Sequence, residues 1–131
     1  IYKNVIDNTE HLALVKGKIN EDQDILVRMH SLNIFSDLLN PKSHNLEKAI
    51  DIISKNENGI IVIIRNPKKE LLLKDKKKEN IDKKILKEYG IGAQILIDLG
   101  VKKIKLLTSS SKNIVGIDGF GLEINGTKKL S

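Results

Sequence analysis

The sequence predicts a single α/β domain over residues 1–131, in which a mixed sheet packs against helices. Short apolar runs alternate along the chain with segments whose apolar residues recur at helical spacing, and that alternation is typical of an α/β layer structure. A length of 131 residues suits one domain. The hydrophobic fraction of 40%, which nine glycines raise to roughly 47% on the usual apolar count, indicates a globular chain with one core.

Three strands are predicted in the first half of the chain. His11–Gly17 and Ile25–His30 are joined by a short polar segment, residues 20–24, which favours an antiparallel pair. Ile60–Ile64 is a run of β-branched residues without alternation, so it is predicted to be central and buried on both faces. Pro67 is predicted to end this strand.

Two helices follow from helical spacing of the apolar residues. The first starts at Leu46, with Asn45 as its predicted N-cap and Gly59 as the left-handed residue that closes it. The second is predicted over Gly90–Leu99, with Gly100 as its closing residue. Its inward-facing side chains are predicted to be those of Ile91, Ile95 and Leu99.

The remaining segments receive coarser predictions. Leu71–Leu73 is expected to dock on the core, and the lysine-rich residues after it are expected to be helical or partly disordered up to Glu88. Ile104–Leu107 is a predicted strand, followed at Thr108–Ser111 by residues suited to capping a short helix. A final strand is predicted around Leu122–Ile124.

Composition excludes several classes of protein and site. There are no cysteines, so disulfide scaffolds, thiol nucleophiles and zinc sites that need a thiolate are ruled out. No apolar run approaches the ~20 residues of a transmembrane helix, and no secretory signal is visible. The expectation is a soluble, cytoplasmic domain, and the absence of an initiator methionine suggests a fragment of a longer polypeptide.

The positive charge is concentrated in one segment. Residues 68–87 contain nine lysines and four acidic residues, so they carry +5 of the net charge of +6. The favoured interpretation is a solvated lysine-rich face. The alternative is a basic module that binds nucleic acid, but four aromatic residues in the whole chain make a poor base-stacking platform.

Two groups of residues are candidates for binding sites. Thr108–Ser111 offers hydroxyl groups and amides that could bind a phosphate, although simple helix capping is the favoured role. His30, His44 and Asp37 could in principle bind a metal, but their spacing matches no common ligand pattern, and hydrogen-bonded structural histidines are favoured. Neither a glycine-rich phosphate loop nor a G-x-S-x-G nucleophile motif is present.

Three stretches closely resemble the GTP cyclohydrolase II family. They are Asp7–Gly17, Val27–Ser31 and Tyr89–Val101, and the third continues in register through Thr108. The resemblance is closest to the C-terminal half of bifunctional riboflavin-biosynthesis proteins. It implies a GTP cyclohydrolase II-like fold, a homodimer, and a 3,4-dihydroxy-2-butanone 4-phosphate synthase domain on the N-terminal side of the same polypeptide.

The resemblance also implies a reaction that this chain is poorly equipped to perform. The family enzyme opens the imidazole ring of GTP and releases formate and pyrophosphate, using a water bound to zinc. Three cysteines hold that zinc in the family. Asn33 occupies the first of these positions here, and the region of the other two is shortened to Leu38–Ser43.

Other positions that line the family's reaction centre also differ. Leu32 replaces an acidic residue, and Arg65–Leu72 replaces a glycine-rich segment. Ile85 and Lys87 replace the aspartate and arginine assigned to acid–base work and phosphate attack. Ser109–Ser111 replaces Asn-Asn-Pro, and Asn113 aligns with a second basic residue.

We therefore expect a catalytically inactive domain, with no catalytic residues, no zinc or other cofactor, and a structural or regulatory role in a riboflavin-pathway polypeptide. The alternative is a residual GTP- or phosphate-binding domain. Arg28 and Thr108 match family positions that contact GTP, and with Ser109 and Lys112 they are the candidate binding residues. A nucleic-acid-binding module, with Lys76, Lys77 and Lys78 as the residues to test, is the third hypothesis.

Overall fold

Six strands and two α-helices form the part of the chain that the computed structural model describes, residues 1–40, 44–66, 81–109 and 120–130. The strands, in chain order, are β1 (Tyr2–Lys3), β2 (Glu10–Lys16), β3 (Asp24–Ser31), β4 (Gly59–Ile64), β5 (Lys103–Thr108) and β6 (Glu123–Lys129). The helices are α1 (Asn45–Ser54) and α2 (Ile81–Asp98), and a single π-helical turn spans Phe35–Leu39.

The strands form one mixed sheet in the order β1-β2-β4-β3-β5-β6. β4, β3, β5 and β6 run parallel to one another, and β1 and β2 join the β4 side as antiparallel strands. This arrangement confirms the predicted α/β class. Because β3, β4 and β5 are parallel, their carboxyl ends meet at one edge of the sheet.

β4 occupies the central position that its β-branched run predicts. It pairs with β2 on one side and β3 on the other, and Ile60, Ile61 and Val62 are buried. The predicted antiparallel pairing of β2 with β3 is therefore wrong, because β4 lies between them. A strand that is apolar on both faces belongs inside a sheet, where a neighbour pairs with its backbone along each edge. The polar connection after β2 therefore leads past the position of β4 to reach β3.

The two helices cover opposite faces of the sheet. α1 packs Ala49 and Ile53 against Leu26 and Ile61. α2 packs Ala93, Ile95 and Leu96 on the other face, against side chains that include Val27 and Val62. Successive residues of a strand point to opposite faces, so β3 and β4 contribute to both cores.

Both predicted ends of the first helix are wrong. His44 is the N-cap and makes no side-chain capping bond, and Asn45 already lies inside the first turn. Gly59 does not close the helix in a left-handed conformation but begins β4. A glycine is needed there for space, because a Cβ at this position would lie 2.7 Å from Cγ2 of Ile53.

The second half of the fold agrees with several predictions. α2 starts at Ile81, earlier than predicted, and Gly100 ends it with φ +87° as predicted. Of the predicted inward residues, Ile95 is buried, while Ile91 and Leu99 are half-buried. β5 confirms the strand predicted over Ile104–Leu107, and β6 is longer than its prediction.

Some predictions fall on residues that the structure does not describe. They are those for Pro67, Leu71–Leu73, the lysine-rich residues 74–80, and Ser110 and Ser111. The predicted helix cap is therefore described only for Thr108 and Ser109, and Thr108 is the last residue of β5. Within the described residues, no helix is long and apolar enough to cross a membrane.

Candidate functional site

A polar cavity of about 320 Å³ lies at the carboxyl ends of β3 and β4. This is the edge of a parallel sheet where α/β proteins commonly bind ligands. β3 contributes Arg28 to Ser31, the following segment contributes Asn33, Ser36 and Asp37, and α2 contributes Glu88 and Tyr89. The remaining lining residues are Asn45, Ile64 and Ser109.

Arg28 brings a positive charge into this cavity. Its Nη1 donates to the carbonyl oxygen of Leu107 at 3.3 Å, and its Nε is buried without a hydrogen-bond partner among the described residues. Burial lowers the pKa of Arg28 from its ordinary value, while Tyr89 and Asp37 act in the opposite direction. A guanidinium group stays charged at neutral pH and can bind an anion, while Asp37 and Glu88 bring two carboxyl groups to the same cavity.

Tyr89 lies near this guanidinium group. Burial raises the pKa of the Tyr89 phenol, and Arg28 partly counteracts the increase. The neighbouring residue on α2, Glu88, accepts a hydrogen bond at 3.0 Å from the hydroxyl of Ser31, which ties the end of β3 to the helix. Glu88 and Tyr89 were not among the candidate residues from sequence, and only the packing of α2 on β3 brings them to this cavity.

His30 and Asp37 form a pair on one wall of the cavity. Nε2 of His30 lies 3.0 Å from Oδ2 of Asp37, and both side chains are almost fully buried. The same carboxylate oxygen accepts the backbone N–H of Asn33 at 2.9 Å. The π-helical turn thereby returns Asp37 to the end of β3, and Nδ1 of His30 is buried without a partner within the described chain.

The predicted metal candidates are not brought together as a set. His44 lies near Glu47, with Nδ1 3.2 Å from Oε2, instead of joining His30 and Asp37. Across residues 1–40, 44–66, 81–109 and 120–130, no group of three or more side chains of the metal-binding types could hold an ion. Hydrogen bonding of the structural histidines is confirmed for His30, and also for His11, which accepts from the backbone N–H of Arg65.

Asn33 stands where the resemblance places the first zinc ligand, and its polar groups hold the turn together. Its side-chain Oδ1 accepts the backbone N–H of Ser36 at 3.1 Å, while its own N–H is donated to Asp37. The nearby donors are one imidazole and one carboxylate already paired with each other. Since the sequence contains no cysteine, these residues do not fit a zinc site built on thiolates.

The candidate anion-binding residues are only partly assembled in the described structure. Arg28 and Ser109 line the same cavity. Thr108 is buried at the end of β5, and its carbonyl oxygen accepts the N–H of Leu130 at 2.9 Å. Thr108 does not line the cavity, and Lys112 lies outside the described residues. The lysines proposed for nucleic-acid binding also lie outside them, so that hypothesis stays a prediction.

Comparison with known proteins finds one matching family model. The model for GTP cyclohydrolase II matches residues 1–129. The chain is 38% identical to the monofunctional riboflavin biosynthesis protein RIBA 2, chloroplastic, of Arabidopsis thaliana, over 98% of this chain and 30% of that protein. It is 35% identical to the riboflavin biosynthesis protein RibBA of Aquifex aeolicus, over 94% of this chain and 36% of that protein.

The chain is also similar to a solved structure. RibBX, a two-domain 3,4-dihydroxy-2-butanone 4-phosphate synthase from A. baumannii, is 32% identical and superposes with a TM-score of 0.56. The match covers 90% of this chain and 31% of that one. The chain thus spans about a third of the length of the relatives it matches.

Proposed function

The chain belongs to the GTP cyclohydrolase II family, and we propose that it is a domain of this family that does not catalyse the GTP reaction. Its role is structural or regulatory within a riboflavin-biosynthesis polypeptide. The observation that carries this proposal is the set of hydrogen bonds by which Asn33 closes the turn before Asp37, at a position where the resemblance places a zinc ligand of the family.

Loss of the zinc ligands removes the means of activating water. A divalent metal makes a bound water reactive near neutral pH, and it does so only when its ligands hold it in place. The neutral amide of Asn33 is a weak substitute for a thiolate, and it is already committed to Ser36. The proposal is therefore that this domain holds no zinc and no other cofactor.

The retained segments support a structural role. The stretch resembling the family at Val27–Ser31 lies in β3, at the centre of the sheet, and the stretch at Tyr89–Val101 forms most of α2 and its packed end. These segments supply much of the core, and Arg28 to Ser31 and Tyr89 also line the cavity; of the replaced positions, Asn33 and Ser109 line it.

The names of two relatives are consistent with such a domain. The Arabidopsis protein is called monofunctional, and the A. baumannii protein is called a synthase with two domains. Segments like this chain therefore occur in polypeptides named for one activity. We propose that this domain packs against a 3,4-dihydroxy-2-butanone 4-phosphate synthase domain of its own polypeptide and supports formation of a homodimer.

The test is an assay of the purified chain with GTP and added zinc. We expect no formate or pyrophosphate above the level without protein, and much less than one zinc ion per chain by elemental analysis after dialysis. A family member that retains the three cysteines is the positive control under the same conditions. Sustained release of formate by this chain, dependent on zinc, would refute the proposal.

A second candidate function is residual binding of GTP or another phosphate compound. It is favoured by one observation, the charged Arg28 group that lines a polar cavity and has a buried Nε without a partner in the described chain. Ser109 lines the same cavity, and Thr108 and Lys112 complete the candidate set from sequence. A phosphate would supply the acceptor oxygens that Arg28 lacks.

A further inference from the structure

The sequence contains two Asn-Gly pairs, and the structure places them in opposite surroundings. One is Asn58 and Gly59, at the start of the central strand β4, and the other is Asn125 and Gly126, in the edge strand β6. Asparagine followed by glycine is especially prone to lose its side-chain amide spontaneously, because glycine has no Cβ to hinder its backbone nitrogen. The two pairs therefore allow the same chemistry to be compared within one chain.

The second pair lies in a β-bulge. The register of β6 on β5 is interrupted between Ile124 and Thr127. Asn125 and Gly126 both fall opposite Lys105 there, two residues against one. Gly126 has φ +148°, a conformation that favours glycine. Because a bulge leaves one residue outside the regular ladder, the backbone at this pair is held by fewer strand hydrogen bonds.

The space around the two pairs also differs. Asn125 is exposed, and a Cβ built on Gly126 would meet no heavy atom of the described residues within 4 Å, apart from its chain neighbours. Gly59 is buried and lies between β2 and β3, and a Cβ there would lie 2.7 Å from Cγ2 of Ile53. Only the pair in β6 has room for its side chain and backbone to rearrange.

We propose that Asn125 is a site of spontaneous deamidation, that Asn58 is protected, and that the change loosens β6. The amide nitrogen of Gly126 loses its proton to hydroxide and bonds to Cγ of Asn125. The bond from Cγ to Nδ2 breaks, and Nδ2 takes a proton from water and leaves as ammonia. Water then opens the resulting succinimide ring at one of its two carbonyl carbons, which yields aspartate or isoaspartate.

Deamidation removes a contact between β6 and β3. Nδ2 of Asn125 donates to Oδ1 of Asp24 at 2.7 Å, and β5 lies between the two strands. Once the amide is lost, two carboxylates face each other, and like charges at such a distance repel. Isoaspartate also adds a methylene group to the backbone, which disturbs pairing with β5. Both products therefore weaken the hold of the sheet on its edge strand.

The test is to incubate the purified chain at mildly alkaline pH and follow both pairs by peptide mass spectrometry. Trypsin releases them in separate peptides, residues 56–65 and 113–128, and each deamidation adds one mass unit. We expect Asn125 to convert at least about tenfold faster than Asn58, because a central strand frees its backbone only when the sheet opens. Fragmentation of the second peptide assigns the gain to Asn125. Equal rates, or faster conversion of Asn58, would overturn the proposal.

Unfolding provides the control for local sequence. In guanidinium chloride the sheet is absent, so both pairs should convert at similar rates. A preference for Asn125 that persists unchanged in the unfolded chain would mean that sequence neighbours cause it. The bulge would then have no part in the selectivity, and the structural basis of the proposal would be wrong.

Asn125→Gln locates the reaction. Glutamine keeps an amide group, but its ring closure forms six members and is much slower. We expect the mass gain in residues 113–128 to disappear in this variant, while residues 56–65 behave as in the original chain. An undiminished gain in residues 113–128 would place the reaction at another residue and reject Asn125 as the site.

Two further variants test the consequence for β6. Asn125→Asp reproduces one product and should lower the urea midpoint of unfolding by a small amount, since the contact is exposed. Adding Asp24→Asn exchanges the amide and the carboxylate, so the hydrogen bond can form in the opposite direction and the midpoint should recover. A midpoint that does not recover would contradict the role of this contact. Neither residue lines the polar cavity, so these results are independent of the proposed function.

Discussion

Nε2 of His30 lies 3.0 Å from Oδ2 of Asp37, and that same oxygen also accepts the backbone N–H of Asn33. One buried carboxylate oxygen therefore holds both the last part of β3 and the turn that follows it. The resemblance places a zinc ligand in this turn, and these two hydrogen bonds to Asp37 join the turn to the end of β3. The stability of the turn then depends on hydrogen bonds to Asp37.

The first prediction concerns that dependence. Asp37→Asn should lower the free energy of unfolding by about 1–3 kcal/mol, because it weakens bonds to a charged acceptor at a buried position. Asp51→Asn is the matched control, since Asp51 pairs with Lys55 on the surface, and such pairs contribute about 0–1 kcal/mol. Urea unfolding measures both. Equal losses in the two variants would contradict the proposed role of Asp37.

The second prediction concerns the close approach at Gly59. Gly59→Ala should destabilise the chain by about 1–3 kcal/mol, since its Cβ would overlap the side chain of Ile53, which has little rotamer freedom. The cost should be smaller in an Ile53→Ala background, where the methyl group in question is absent. A double-mutant cycle in urea measures this coupling. Additive effects would show that the helix and strand do not meet as described.

The third prediction is a pH dependence of stability. His11 is buried, and its pKa in the folded chain is lowered from 6.5. The unfolded chain therefore takes up a proton at higher pH than the folded chain does. The stabilisation from the neutral ring is present above pH 6.5, and it is lost as the pH falls through the lowered value.

We expect the free energy of unfolding to be lower at pH 5 than at pH 7.5, with part of the decrease absent in His11→Phe. The difference between the two chains at each pH removes the contribution of other groups. Urea unfolding at a series of pH values measures it. An identical pH profile for both chains would mean that His11 titrates alike in the folded and unfolded states.

The fourth prediction concerns anion binding at the polar cavity. If the second candidate function holds, calorimetry at low salt should detect GTP or pyrophosphate, and Arg28→Met should weaken binding by at least about tenfold, the effect of losing one charge-assisted bond. Arg65→Met is the matched control. Arg65 is the other arginine of the chain and does not line the cavity. No binding at millimolar ligand would reject this function.

The fold was predictable where local sequence decides the structure. The β-branched run in β4 identified the central strand, and Gly100 identified the end of α2. The partner of β2 was not predictable, because strand neighbours depend on residues far apart in the chain. Gly59 was misinterpreted for a related reason, since the side chain that requires a glycine there belongs to Ile53 on the packed helix.

The sequence likewise predicted only some of the residues of the candidate site. Arg28 was named from the resemblance and Ser109 from the run of hydroxyl residues after β5, and the fold brings both to one cavity. Glu88 and Tyr89 reach that cavity because α2 crosses β3, which no spacing in the sequence specifies. A tyrosine directly before the Gly-Ile-Gly run was the only local signal for this part of the site.

The position of β4 between β2 and β3 has a consequence for the order of events during protein synthesis. When the ribosome has released only the first half of the fold, β2 and β3 each lack the neighbour that separates them in the finished sheet. The backbone groups of β2 and β3 that pair with β4 cannot form those hydrogen bonds until residues 59–64 have emerged from the ribosome. A nascent chain stalled before Gly59 should therefore be protease-sensitive throughout both strands, and one released after Ile64 should gain protection in β2 and β3 together.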